Sequence, residues 1–305
     1  MHSKSLKKFA VLSIAAAIVT ISLKLFAYHL TGSVGLLSDA LESCVNLLAA
    51  FIALLMIALA EKPADEEHAF GHTKAEYFSS AIEGVMIIIA AVSIIWSAIP
   101  RLLAPKEIEN VGLGLLIALS ASLVNLAVGL VLINQGKKNN SITLEADGKH
   151  LMTDVWTSVG VLLGIGLVKL TGWKILDPII AIGVAINIIW AGYVLIKRSS
   201  AGLLDVSLSD EELVKINEKL TYFKSLQQVE FHSLMTRQAG QRKFVNFHML
   251  VPGKWTIQQG HDFTEIVEKE IRSLFNVPVS VFVHIEPIED PVSMHDIGLD
   301  RVADE

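Results

Sequence analysis

The sequence predicts a polytopic α-helical membrane protein with six transmembrane helices and a small C-terminal α+β domain. Three observations predict it. The 305 residues are 52% apolar and only 18% charged, against about 45–50% and about 25% for a soluble domain, and mean hydropathy is +0.53. The charge is unevenly placed: up to Asp205 there are 15 Lys/Arg and 15 Asp/Glu, and beyond it 10 and 16, the whole formal −6. Six apolar stretches are also long enough to cross a hydrocarbon core, which takes ~20 residues. Together these exclude a single soluble domain, a disordered chain and, at a pI of about 5.9 with no basic stripe, a nucleic-acid binder. The lone Cys44 excludes a disulfide framework and Cys-based zinc or iron–sulfur sites.

The spans are Phe9–Leu30, Val34–Ala60, Tyr77–Pro100, Gly112–Ile133, Leu151–Leu170 and Pro178–Ile196. The first is too long for a signal-peptide core, carries Lys24 and lacks a small-residue cleavage site, so it reads as a retained helix. With the N-terminus inside, the inner segments hold Lys4, Lys7, Lys8, Lys62, Lys74, Lys137, Lys138, Lys149, Lys197 and Arg198. The outer loops hold Arg101, Lys106, Lys169 and Lys174. Ten against four, over an even number of spans, places both termini in the cytoplasm.

Beyond Asp205 the pattern changes. Ser209-Asp210-Glu211-Glu212 reads as a helix start with Ser209 as N-cap. Gln228–Arg237, Lys243–Val251 and Val279–Glu286 alternate like strands, and Thr256–Phe275 has a helical period. The order αββαβ predicts a sheet covered by helices on one face. Ile288–Glu305 is acidic and reads as a loose tail.

Ionisable groups inside spans mark ion sites or pathways by default. Glu42 and Asn46 in the second span share a helix face, as do His150 and Asp154 in the fifth. They offer three oxygen-type ligands and one imidazole, with a charge of −2 against a 2+ ion; capping or hydrogen bonding within the bundle is the alternative. In the loop after the second span, Asp65, His68 and His72, with Gly71 for a tight turn, can wrap one ion or form a solvated acidic loop. In the soluble part His232, His248, His261 and His284, with Glu286, form a third metal-binding candidate.

These residues resemble the cation diffusion facilitator family, in particular its bacterial zinc and ferrous-iron efflux branch, over nearly the whole chain. The resemblance rests on Gly32-Ser33-Val34, on Ala64-Asp65-Glu66-Glu67-His68-Ala69-Phe70-Gly71-His72-Thr73-Lys74-Ala75-Glu76, and on Ala146-Asp147-Gly148-Lys149-His150-Leu151-Met152-Thr153-Asp154. In the soluble part Thr236-Arg237-Gln238-Ala239-Gly240 and Val283-His284-Ile285-Glu286-Pro287 also match. It implies a homodimer in the inner membrane that exports a divalent metal in exchange for protons, with no organic cofactor and no enzymatic activity. It implies a transport domain over residues 1–205, a metallochaperone-like cytoplasmic dimerisation domain over 206–290 and an acidic flexible tail over 291–305. The transport site then falls on Glu42, Asn46, His150 and Asp154, and the loop site on Asp65, His68 and His72. The cytoplasmic site, at the dimer interface, falls on His232, His248, His261, His284 and Glu286, and a structural salt bridge on Lys74 and Asp205.

The chain departs from the branch in several places. Two Asp are usual where Glu42 and Asn46 stand, and Glu286 replaces an Asp. Asn in this span is frequent in manganese exporters of the family. Zinc suits a mixed nitrogen/oxygen site and is placed first; manganese or ferrous iron suits an oxygen-dominated one, and cobalt and cadmium are further candidates. Glu83, an extra carboxylate, is read as hydrogen-bonding to a neighbouring helix in preference to serving as a proton site. Lys24 is read as snorkelling to the outer interface, His29 as a surface residue, and His2 and His295 as terminal. Asn125 and Asn187 are read as ties between helices, Cys44 as off the metal face, and Trp96, Trp173 and Trp190 as interfacial anchors. A membrane-embedded metal hydrolase is disfavoured because no His-Glu-x-x-His occurs; a metal-sensing scaffold without transport is the rival that Asn46 argues for.

Overall fold

The computed structural model describes residues 6–31, 34–103, 112–173 and 175–294, and the chain separates into two compact units, Met1–Leu203 and Leu204–Glu305. The first unit is built of six helices: α1 (Lys7–Thr31), α2 (Val34–Ala60), α3 (Ala75–Leu103), α4 (Gly112–Asn139), α5 (Ile142–Thr171) and α6 (Leu176–Leu203). Each has 25 to 30 residues, about 38–45 Å at 1.5 Å per residue. That exceeds the ~30 Å hydrocarbon core.

Among the described residues four segments are long and apolar enough to span: Lys7–Phe26, Ala75–Leu103, Leu119–Asn139 and Pro178–Leu203. In α2 the described apolar part is the shorter Leu47–Ala60. α5 carries Glu145, Asp147, Lys149 and Asp154 within its length. Their outward faces expose Ile89, Trp96, Leu116, Leu163 and Trp190, as lipid-facing helices must.

α5 begins nine residues before the apolar stretch that predicts it. Residues 141–148 are all buried although half are polar, because their polar groups are bonded to neighbouring helices. Ser141 and Thr143 donate to the Glu76 carboxylate, Glu145 pairs with Lys149 at 3.0 Å and with Arg198, and Ser13 donates to Asp147 at 3.0 Å. A hydropathy criterion misses a helical turn whose polar groups are satisfied through space.

α3 packs most extensively on α6, α4 on α5 and α1 on α2. Two of these crossings are glycine contacts. A Cβ on Gly192 would lie 2.9 Å from the Gly84 carbonyl, and one on Gly148 would lie 2.8 Å from the Gly129 carbonyl. Backbones that approach this closely gain van der Waals contact where lipid offers no hydrophobic drive.

The second unit contains α7 (Asp210–Leu226), β1 (Glu230–Ala239), β2 (Arg242–Val251), α8 (Ile257–Ser273) and β3 (Val279–Pro287). The strand order is β1-β2-β3, with β1 antiparallel and β3 parallel to β2. Gly240, at φ 56°, makes the tight β1–β2 turn, and α8 supplies the crossover that a parallel pair needs. Ile216, Leu220 and Phe223 of α7 and Phe263, Val267 and Ile271 of α8 cluster with Val245, Phe247, Met249 and Val251 of β2. Alternation along β2 leaves His248 on the opposite face. After β3 the chain makes a 3-10 turn over Pro291–Met294, and Ser293 Oγ donates to the Pro287 carbonyl at 2.9 Å. The start of the expected loose tail is thus ordered; residues 295–305 lie outside the described residues.

The Lys243 side chain, 3% exposed, pairs with Glu212 and lies 5.3 Å from the Phe275 ring centroid. Burial pushes the Glu212 carboxyl up, but the Lys243 hydrogen bond and charge outweigh it and hold the group below its ordinary value. A depressed folded value means the pair supports folding above the ordinary Glu range and loses that support as pH falls through the folded value.

Two outcomes follow. Gly192→Leu forces α3 and α6 apart and costs about 1–3 kcal/mol, read as a lower Tm of the detergent-solubilised chain. Glu212→Gln strands the Lys243 charge and destabilises by about 3 kcal/mol; denaturant titration of the soluble unit's fluorescence checks it. The gap between wild type and Glu212→Gln narrows as the medium is acidified.

Candidate metal centres

The fifth-span pair is placed as its spacing predicts, on one face of α5. His150 is buried, and Asp154 is half-buried with its Oδ2 accepting from Asn125 Nδ2 of α4 at 3.0 Å. Asn125 therefore ties two helices together, as expected, and does so through a proposed ligand. Its signal in sequence is a lone amide in an otherwise apolar span. Glu42 and Asn46 lie on α2, which packs against α5, but their side chains lie outside the described residues.

The loop cluster is assembled by local backbone geometry. Asp65 Oδ1 accepts from the His68 backbone N–H at 2.7 Å, and Gly71, at φ 84°, turns the chain so that His72 comes back towards Asp65. The Asp65 carboxylate lies 3.2 Å from His68 Nδ1 and 3.3 Å from His72 Nε2. The hydrogen bond from the His68 amide holds the Asp65 carboxyl below its ordinary value; burial opposes it, and the two imidazoles add to the lowering. An ionised carboxylate facing two imidazoles is the form that binds a cation. His72 Nδ1 is buried with no hydrogen-bond partner.

The sheet register builds the third cluster. His232 of β1 is paired with His248 of β2, and His248 with His284 of β3, so three imidazoles stand in a row across the sheet. Their ring centroids are 4.9 and 5.0 Å apart. Glu286, two residues beyond His284, points from the same strand face. Its carboxylate reaches His232 Nε2 at 3.1 Å, His248 Nδ1 at 3.4 Å and His284 Nε2 at 3.5 Å. A bulge between His232 and Met235, with Ser233 at φ 52°, adjusts the β1 end of this row.

His232, His248 and Glu286 offer ligand atoms within 4.8 Å of one another, as do Asp65, His68 and His72. Ligands about 2.1 Å from a tetrahedral zinc stand about 3.4 Å apart, close to the separations seen in both clusters. His248 Nδ1 is buried and, although it lies 3.4 Å from the Glu286 carboxylate, makes no hydrogen bond, which leaves it available to a cation. His261 lies on the exposed side of α8, outside the group gathered within one chain.

Lys74 Nζ donates to the Leu203 carbonyl at 3.3 Å, and Asp205 pairs with Arg237 at 3.0 Å.

Three expectations are corrected. Lys24 does not snorkel: it is buried, with Nζ 2.7 Å from Ser43 Oγ of α2. Its long stem reaches a neighbouring helix before it reaches the interface. Asn187 is exposed on α6 and does not tie helices. Among the described residues Glu83 does not bond to a neighbouring helix; its hydrogen bond comes from Ser79 of its own helix, at 3.4 Å. His29 is exposed, as expected of a surface residue, and Cys44 is exposed as well.

Comparison with known proteins agrees with this architecture. The family described as cation efflux transmembrane domain matches residues 10–204, and that described as cation efflux protein, cytoplasmic domain, matches residues 208–288. An uncharacterised transporter of Synechocystis is 49% identical over 293 residues, covering 96% of this chain and 94% of its own. The cation-efflux pump FieF of Shewanella oneidensis is 30% identical over 277 residues, covering 91% and 92%; that of Klebsiella pneumoniae is 29% identical over 287 residues, covering 94% of each. With both family domains matched in order along nearly its whole length, this chain belongs to the cation diffusion facilitator (cation efflux) family of membrane transporters.

Proposed function

We propose that the chain exports a divalent transition metal, zinc first, from the cytoplasm in exchange for protons. It works as a homodimer in the inner membrane with both termini in the cytoplasm. Residues 1–205 form the transport domain, 206–290 the dimerisation domain and 291–305 a tail. The observation that carries this reading is the placement of His150 and Asp154 on one face of α5, with Asn125 orienting the Asp154 carboxylate. Glu42 and Asn46 complete the site from α2. A bound 2+ ion needs His150 neutral and both carboxylates ionised. Protons reaching the site from outside compete for His150 and Asp154 and displace the ion, so alternating exposure of one site yields exchange. Asn46 cannot ionise and Glu42 is one methylene longer than Asp, which keeps a manganese-selective exporter as the second reading. Iron, cobalt and cadmium are further candidate cargoes.

The cytoplasmic cluster is a regulator in this reading. The chain's net −6 lies wholly beyond Asp205. Two such domains repel over roughly a Debye length, about 8–10 Å at physiological salt. Metal held by His232, His248, His284 and Glu286, with exposed His261 available at the dimer interface, offsets that repulsion. The Asp65/His68/His72 cluster is a loop site near the membrane surface, and Lys74 with Asp205 is the structural pair at the junction.

Asp154→Ala abolishes zinc uptake into proteoliposomes while leaving the dimer intact by size exclusion; retained uptake overturns the site, and sensitivity of an exporter-deficient strain separates transporter from scaffold. Glu286→Gln removes the carboxylate common to three imidazoles and weakens metal-driven approach of the two cytoplasmic domains by at least about tenfold in metal concentration. Distances between spin labels on the domains, measured with and without zinc, check it.

A further inference from the structure

Two carboxylates of the membrane unit belong to none of the sites above. Glu83 of α3 is 0% exposed and Asp147 of α5 is 1% exposed. Each has one oxygen bonded to a hydroxyl: Glu83 Oε1 accepts from Ser79 Oγ at 3.4 Å, and Asp147 Oδ1 from Ser13 Oγ of α1 at 3.0 Å. The other oxygen of each, Glu83 Oε2 and Asp147 Oδ2, is buried with no hydrogen-bond partner. Asp147 lies three residues before His150, one turn away from the proposed ligands.

Among the described residues, the following charged groups on the surrounding helices have partners elsewhere; the side chains of Asp39 and Glu42 on α2, which packs on α3 and α5, lie outside the described residues. On α1, Lys7 pairs with Glu61 and Lys24 bonds to Ser43. On α3, Glu76 accepts from Ser141 and Thr143. On α5, Glu145 takes both Lys149 and Arg198 of α6, and Asp154 accepts from Asn125. Lys137 and Lys138 of α4 and Lys197 of α6 are exposed, and His150 is buried on the next turn of α5. Among the described residues, the charge that acts on Glu83 is that of Asp147.

Their place in the fold adds meaning. Glu83 directly precedes Gly84, where α3 crosses Gly192 of α6, and Asp147 directly precedes Gly148, where α5 crosses Gly129 of α4. α3 also packs on α5. One carboxyl thus belongs to each of the tightly crossed pairs α3/α6 and α4/α5, which meet in a seam along α3 and α5. An ionised carboxylate buried without a counter-ion carries a large desolvation penalty, and two that repel each other carry more.

We infer that Glu83 and Asp147 form a second proton-binding site, distinct from the Glu42/Asn46/His150/Asp154 site, that holds the two helix pairs together when protonated. The step is a plain proton transfer: an O–H bond forms on a carboxylate oxygen with a proton taken from water, and breaks when the proton returns to it. Loss of the protons leaves negative charge on both sides of the seam, which then draws water and favours separation of α3/α6 from α4/α5. The existence of the site stands on the burial alone; its consequence for transport rests on the proton-exchange reading above.

The test is infrared spectroscopy of the purified full chain, reading the carbonyl stretch of protonated carboxyl groups across a pH titration. Wild type shows the band, and Glu83→Gln and Asp147→Asn, near-isosteric neutral replacements, each diminish it. Ser13→Ala, which keeps both acids but removes a donor to Asp147, shifts its position. A band that none of the three alters overturns the site. In proteoliposomes each neutral variant flattens the pH profile of zinc uptake; a wild-type profile in both variants overturns the link to the seam. If wild-type uptake ignores the proton gradient, the exchange reading fails while the infrared band still decides the site.

Discussion

A hydrocarbon slab gives a polar group no water to fall back on, so each one that enters must be satisfied by a neighbour. In the membrane unit this constraint works as an assembly rule. Lys24 finds Ser43, Asp154 finds Asn125, Asp147 finds Ser13, and Glu76 gathers Ser141 and Thr143. Each of these contacts joins two helices, so the polar residues mark where helices touch and the apolar ones mark what faces lipid. The glycine crossings at Gly84/Gly192 and Gly129/Gly148 tighten the same packing where no polar group is needed.

Function emerges where the rule is only half obeyed. Glu83 and Asp147 each keep a buried oxygen without a partner, and His150 and Asp154 place an imidazole and a carboxylate on one helix face. A slab that penalises unpaired charge makes such groups sensitive to any cation that arrives, proton or metal. Competition between the two at neighbouring places in one bundle is the physical basis of the exchange proposed above.

The soluble unit meets the need to hold cations differently. Its backbone ladder fixes the strand spacing, and the register alone sets His232, His248 and His284 in a row with Glu286 beside them. The helices α7 and α8 cover the other face and fill the core, which leaves the face proposed to bind metal outside the main hydrophobic cluster. The loop cluster is a third solution, in which Asp65, His68 and His72 are near in sequence and one left-handed Gly71 brings them together. The closeness of these three residues was legible in the sequence because their geometry is local.

Local periodicity also determined the six-helix and αββαβ architecture, the Ser209-Asp210 helix start and the pairing of His150 with Asp154 on one face, because side chains four apart on a helix meet whatever the rest of the chain does. The tertiary structure decided what periodicity cannot carry. It extended α5 back through a polar segment, turned Lys24 inward, left Asn187 outside, and left one oxygen each of Glu83 and Asp147 buried and unbonded. It also aligned three histidines drawn from three strands, while leaving His261 on a separate helix. The physical reason is the same throughout: a buried polar group's environment depends on partners far away in sequence, and sequence spacing records only the near ones.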